Sequence, residues 1–182
     1  MLKRKIINKL VEWKNGCSNK ALLIKGARQV GKTTIIRQFA QANYENFIEI
    51  NFEQMPTAKQ AFDGNLDART ILINLSAMGF GPLVPGKTLI FFDEIQSCPK
   101  ARTAIKFLVE DGQYDYIESG SLLGINYKEV SSFPVGFEHE LDMYPLDFEE
   151  FLWACNISED VISMLKDCYE QLRPIPDFLH KQ

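Results

Sequence analysis

Short apolar runs alternate with helix-spaced apolar positions along the chain, the pattern of strands separated by helices. Ile6, Ile7, Leu10 and Trp13 recur at helical spacing and predict an amphipathic helix stopped by Asn15-Gly16. Ala21-Leu22-Leu23-Ile24 is a four-residue apolar run closed by Lys25-Gly26, as expected of a buried parallel strand. A helix is predicted from about Lys32, with Ile35, Ile36, Phe39 and Ala40 on one face. Residues 47–52 alternate as a second strand, and one or two helices are expected between Gln54 and Gly79. Glycines and prolines from Gly79 to Gly86 mark a loop. Residues 89–92 form the third strand, the most apolar stretch of the chain. After Ser97-Cys98-Pro99 a helix carries Ala104, Ile105, Leu108 and Val109, and Gly112 ends it. Residues 114–117 predict a fourth strand cut off by Ser119-Gly120-Ser121, and residues 138–143 a short fifth one. Asp147 reads as a helix N-cap with Glu150 in capping-box position, and the rest is helical until Arg173-Pro174-Ile175-Pro176. There is no internal repeat.

Composition changes this picture little. The 182 residues fit one domain with a sizeable core, and 46% hydrophobic with 24% charged residues exclude a disordered chain. A net charge of -4 gives no global attraction to nucleic acid or anionic membrane. The basic run Lys3-Arg4-Lys5, followed by Lys9 and Lys14, reads as the solvated face of the first helix rather than a nucleic-acid arm. Four cysteines stand far apart, without zinc-type pairing, and His139 and His180 are the only histidines. No apolar run reaches spanning length and no leader-type segment opens the chain, so a cytoplasmic protein with reduced cysteines and no membrane partner is expected.

The chemistry lies in the turn after the first strand. Gly26-Ala27-Arg28-Gln29-Val30-Gly31-Lys32-Thr33 matches G-x-x-x-x-G-K-[ST] without departure, and Thr34 continues the helix. Gly26 and Gly31 let the backbone wrap closely round phosphate oxygens. The amides of residues 26–34 and the helix N-terminus offer partial positive charge to an anion. Lys32 reaches the β- and γ-phosphates as a mobile point charge, and the Thr33 hydroxyl is the expected magnesium ligand. A chance match in a chain of this size has a probability of roughly one per cent or less, and chance requires neither the preceding strand nor the following helix.

The third strand delivers Asp93-Glu94 to its carboxyl end, where ligands of parallel sheets bind. Asp93 is expected to hold magnesium opposite Thr33, through water, while Glu94 orients or deprotonates the attacking water. An acid poised on water favours hydrolysis of ATP over phosphoryl transfer to a small molecule.

With these motifs in place, the sequence resembles AAA+ ATPases with the AAA_14 type of core, which usually carry a DUF4143 domain behind it. The similar stretches are GARQVGKTTIIRQFA, TLIFFDEIQ, YIESGSLLG and FPVGFEHELDMYPLDFEEFL, with KRKIINKLVEWKN before them. The resemblance implies an α/β P-loop sandwich with a parallel sheet of order 5-1-4-3-2 flanked by helices, and it makes Asp93 and Glu94 the Walker B pair. It also implies a polar sensor residue at the end of the fourth strand, for which Ser119 is the first candidate and Ser121 the second. The alternative for both is a Ser-Gly turn. Arg28 either touches a phosphate of its own nucleotide or a neighbouring subunit, or is a solvated loop residue.

Two departures matter. Phe137 follows Pro134-Val135-Gly136 where relatives often carry Arg or Lys, and the chain stops at Gln182, where relatives continue into lid helices. Residues 1–155 are therefore expected to form the ATPase core with its amino-terminal helix, and 156–182 the start of a lid or linker. A protein or nucleic-acid target would be met through the missing carboxyl-terminal part. Arg173 is either a sensor 2 residue or an ordinary helix-end arginine. A homo-oligomer with an arginine finger from a neighbour follows from the resemblance, and Arg69 and Arg102 are candidates not separable from surface charges. Two other readings remain beside the ATPase: a nucleotide-sensing scaffold with little hydrolysis, and a small-molecule P-loop kinase. The chain has neither an N-K-x-D or T-K-x-D signature nor an L-S-G-G-Q stretch, which disfavours a GTPase and an ABC-type dimer.

Overall fold

The apolar runs become strands because helices cover them on both sides. A computed structural model describes residues 2–16, 19–121, 134 and 136–176. The strands β1 (Ala21–Gly26), β2 (Asn46–Asn51), β3 (Thr88–Asp93), β4 (Asp115–Ser121) and β5 (Glu138–Met143) form one sheet of order β2-β3-β4-β1-β5. Every pairing in it is parallel. This is the expected order, 5-1-4-3-2, read from the other edge. The helices are α1 (Ile6–Gly16), α2 (Lys32–Asn43), α3 (Ala68–Ala77), α4 (Pro99–Asp111), α5 (Phe148–Ala154) and α6 (Glu159–Glu170), with short 3-10 turns at Pro56–Phe62 and Ile95–Ser97. None of the described helices is long and apolar enough to cross a membrane.

Strand alternation sends side chains to two separate cores. Leu22, Ile24, Leu89, Phe91 and Ile117 meet Ile6, Leu10 and Trp13 of α1 and Ile35, Ile36 and Phe39 of α2. On the other face Leu23, Ile50, Ile90, Phe92 and Tyr116 meet Phe62, Ile71 and Leu75 and the α4 residues Ala104, Ile105 and Leu108. Gly112, at φ 68°, closes α4 in the left-handed conformation a glycine tolerates.

Two expectations need correction. Ser119-Gly120-Ser121 is not a turn. β4 runs through it, paired with β1 as Ile24↔Ser119, Lys25↔Gly120 and Gly26↔Ser121, and all three residues are buried. A neighbouring strand supplies every ladder bond there, which overrides the local turn preference of Ser and Gly. Nor is Lys3-Arg4-Lys5 a helical face, since α1 starts only at Ile6. The three cations pair instead with acids, Lys3 with Glu159, Arg4 with Glu150 at 3.2 Å, and Lys5 with Asp147 and Glu149 at 2.7 Å each.

The chain divides into two compact units, one of Ile6–Tyr144 and one comprising the described residues among 1–5 and 145–182. In the latter, the expected cap at Asp147 is present: its carboxylate accepts from the Glu150 amide at 2.8 Å, and the Glu150 carboxylate accepts from the Asp147 amide at 3.1 Å. Leu122, Leu123, Gly124, Phe133, Val135, Cys17, His180 and Gln182, which entered the sequence reading, lie outside the described residues.

Candidate functional site

The phosphate-loop sequence spans the turn from β1 into α2. Gly26 is required by packing as much as by any ligand: a Cβ there would stand 2.4 Å from the Met143 carbonyl oxygen of β5 and 3.3 Å from Val30 Cγ2. Backbone cannot yield as a side-chain tip would. Gly26→Ala is therefore expected to cost about 1–3 kcal/mol in urea unfolding, the usual penalty of overpacking. A variant as stable as the parent would show that β5 retreats freely. Gly31, at φ 96°, occupies a region that side chains other than glycine's seldom adopt, and Gln29 stands at φ 65°. Ala27, Arg28, Gln29 and Thr34 are exposed, while Val30 is half-buried.

Lys32 is buried to 6% exposure, and its ammonium donates to the Gly26 carbonyl at 3.0 Å and the Ala27 carbonyl at 2.9 Å. An ammonium has three donors, so the loop holds the lysine over itself with one left for an anion. Arg28, Gln29, Gly31, Lys32, Thr33, Thr34, Glu53 and Glu94 line a cleft of about 490 Å³. Arg28 ends 3.8 Å from Glu53, and both are largely exposed, so the pair is a weak, salt-sensitive tether.

Asp93 is the hub of the site. It is 3% exposed, and its Oδ2 accepts from the Thr33 hydroxyl at 3.1 Å and the Asn51 amide at 2.9 Å. Ser119, fully buried, donates its hydroxyl to Asp93 Oδ1, while the Glu94 amide points at Ser119 Oγ from 3.5 Å. Thr33, the adjacent Asp93 and Glu94, and Ser119, from three separate places in the chain, thus converge. Ser121 is buried beside Gly26, and among the described residues it makes no hydrogen bond to Asp93. Glu94 lies at φ 53°, a left-handed conformation rare outside glycine, where the chain leaves β3 for the 3-10 turn.

A sequence model described as an AAA domain matches residues 18–152, about three quarters of the chain. The chain belongs to the AAA domain family. No curated protein matches it. Membership supports nucleotide binding by this AAA domain and a P-loop-type core.

An AAA domain implies a magnesium ion with its nucleotide, and the donor set here fits one. Mg²⁺ takes hard oxygen donors and keeps several of its waters. The Thr33 hydroxyl and the Asp93 carboxylate are such donors and lie side by side, joined by a 3.1 Å hydrogen bond, so Thr33 would hold the ion directly and Asp93 through a water.

Of the other arginines, Arg102 is a correction. It is not a surface charge: at 3% exposure it donates to Glu118 at 2.9 Å and Glu138 at 2.8 Å. Arg69 is exposed on α3, and Arg173 lies in the other unit. Sequence reasoning missed Asn51 and Glu53. Asn51 ends β2 directly opposite Asp93, and its Oδ1 accepts from the Glu53 amide at 3.0 Å and the Gln54 amide at 2.9 Å. A polar residue closing the strand beside an acidic strand end was the available signal.

Proposed function

We propose that this AAA domain binds ATP with magnesium and hydrolyses it, as a switch or motor module. The observation that carries the reading is the convergence of Thr33 and Ser119 on Asp93 beside the phosphate loop, with Glu94 lining the same cleft. The amides of residues 26–34 and the Lys32 ammonium cradle the β- and γ-phosphates. Thr33 and Asp93 hold the metal, which when bound neutralises charge on those phosphates. Asn51 keeps the Asp93 carboxylate aimed, and Ser119, whose one hydroxyl proton goes to the other carboxylate oxygen, acts on the site through Asp93. Glu94 accepts a proton from water as the water oxygen bonds the γ-phosphorus and the bond to the β-phosphate oxygen breaks, releasing ADP and phosphate. Residues 156–182 are proposed as the start of a lid. An arginine from a second copy is proposed to supply the remaining transition-state charge, with exposed Arg69 the candidate donor.

The test is ATP binding by calorimetry with magnesium, and phosphate release from the same sample. Lys32→Ala removes one charge-assisted bond to phosphate and is expected to weaken ATP affinity roughly 10- to 100-fold and to stop release. Binding without release in the parent would replace hydrolysis with the scaffold reading. Lack of binding would sink the proposal.

A further inference from the structure

Glu94 does not stand alone in its cleft wall. The Gln96 carboxamide, two residues on in the 3-10 turn Ile95–Ser97, donates to Glu94 Oε2 at 2.5 Å, a short charge-assisted bond. The other end of the same amide, Gln96 Oε1, is buried with no hydrogen-bond partner. An unsatisfied buried carbonyl is costly, so satisfaction of both amide ends is not what sets this side chain's orientation. Its attraction to the carboxylate is, since the flipped amide would press its oxygen against Glu94. The backbone agrees. The left-handed φ of 53° at Glu94 starts the tight turn that brings residue 96 back over residue 94. While held in this way, Glu94 lines the cleft beside Lys32 and Thr33.

We propose that Gln96 is a positioning residue that fixes the Glu94 carboxylate against the cleft wall for its work on water. The proposal rests on the ATPase reading above. Gln96 touches neither nucleotide nor metal in this role and acts only through Glu94. Losing it lets the carboxylate sample other rotamers, and small misplacements of a reacting group cost large factors in rate. Substrate affinity, which comes from the phosphate loop, is left alone.

The experiment uses the 182-residue chain and four variants: Gln96→Met, of similar length without a donor, Gln96→Glu, of nearly the same shape, Glu94→Gln, and Gln96→Met combined with Glu94→Gln. Gln96→Met is expected to lower kcat about 10- to 100-fold with KM and ATP affinity changed less than about twofold. Added to Glu94→Gln it should lower turnover no further, because its only route is the carboxylate already removed. Equal, additive losses in both backgrounds would overturn the proposal, as would a full kcat in Gln96→Met. If Gln96→Met fails to fold, Gln96→Glu is expected to lower kcat in the same way, with ATP affinity equal or weaker because a negative charge is added beside the cleft. Independently of turnover, the side-chain amide resonance of Gln96 should shift strongly in a fifth variant, Glu94→Leu. An unmoved resonance refutes the contact itself. Glu94→Gln with unimpaired turnover instead refutes Glu94 as the base, a parent chain without turnover overturns the ATPase reading, and in either case the resonance decides alone whether Gln96 holds Glu94.

Discussion

Glu94→Gln is expected to lower phosphate release by roughly 10²–10⁴-fold, the usual contribution of a general base, while ATP still binds. The replacement keeps length and shape, so the turn at Ile95–Ser97 and the neighbouring Gln96 are disturbed little. What disappears is the ability to take a proton from water. A negative charge also leaves a cleft that must receive a polyphosphate, so ATP affinity should be equal or tighter. Asp93, with its bonds from Thr33, Asn51 and Ser119, stays in place to hold magnesium. Single-turnover phosphate release and ATP calorimetry on the same preparation separate the two effects. A fall smaller than about tenfold would assign water activation to some other group. Loss of ATP binding would show that Glu94 supports the fold of the site, and its catalytic role would need another argument.

The local signals were the legible ones. The phosphate loop, the acid pair ending an apolar strand, the fifth strand and the cap at Asp147 all lie within short windows whose chemistry is fixed by neighbours in sequence. What the sequence hid depends on register. Asn51 meets Asp93 only because β2 and β3 pair in parallel with those residues opposite. Ser119 stood between a sensor at the end of the fourth strand and a Ser-Gly turn, and only β1 alongside makes it strand, with its hydroxyl on Asp93. Gly26 was explained by phosphate contact, whereas the approach of the Met143 carbonyl on β5 alone forbids a side chain. Arg102 was the clearest miss. It stands three residues before Ile105 on the buried stripe of α4, where a cation is expected only with buried acids to receive it. Those acids, Glu118 and Glu138, come from two strands that are not neighbours in the sheet.

That buried cluster sets the second large expectation. Arg102→Met should cost about 3–5 kcal/mol of stability near neutral pH, the usual result of removing one partner from a buried ion pair. Glu118 is fully buried and Glu138 nearly so, and each has a second carboxyl oxygen that finds no donor. Burial holds the Glu118 carboxyl well above the ordinary 4.5, the neighbouring Glu138 pushes it further, and Arg102 opposes both. Glu138 is raised too, again chiefly by burial and against the pull of Arg102. A folded-state value above the unfolded one means that the native protein binds the proton more tightly. The stability this confers is full below about pH 4.5 and is lost as pH rises through the raised folded values. Without the guanidinium those values climb higher still. The penalty of Arg102→Met relative to the parent should therefore be largest at about pH 8 and shrink towards pH 5, as both carboxyls take up protons. Urea unfolding of parent and variant at the two pH values measures it. Comparing the two proteins cancels the acid-sensitive surface carboxylates Asp147 and Glu149, whose values are lowered in both. A penalty equal at both pH values would mean that lost packing of the arginine stem, not stranded charge, is the cause. Charge is tested a second way by the triple change Arg102→Met, Glu118→Leu and Glu138→Leu. With no charge left to desolvate, it should recover most of the lost stability, which independent packing defects would instead deepen.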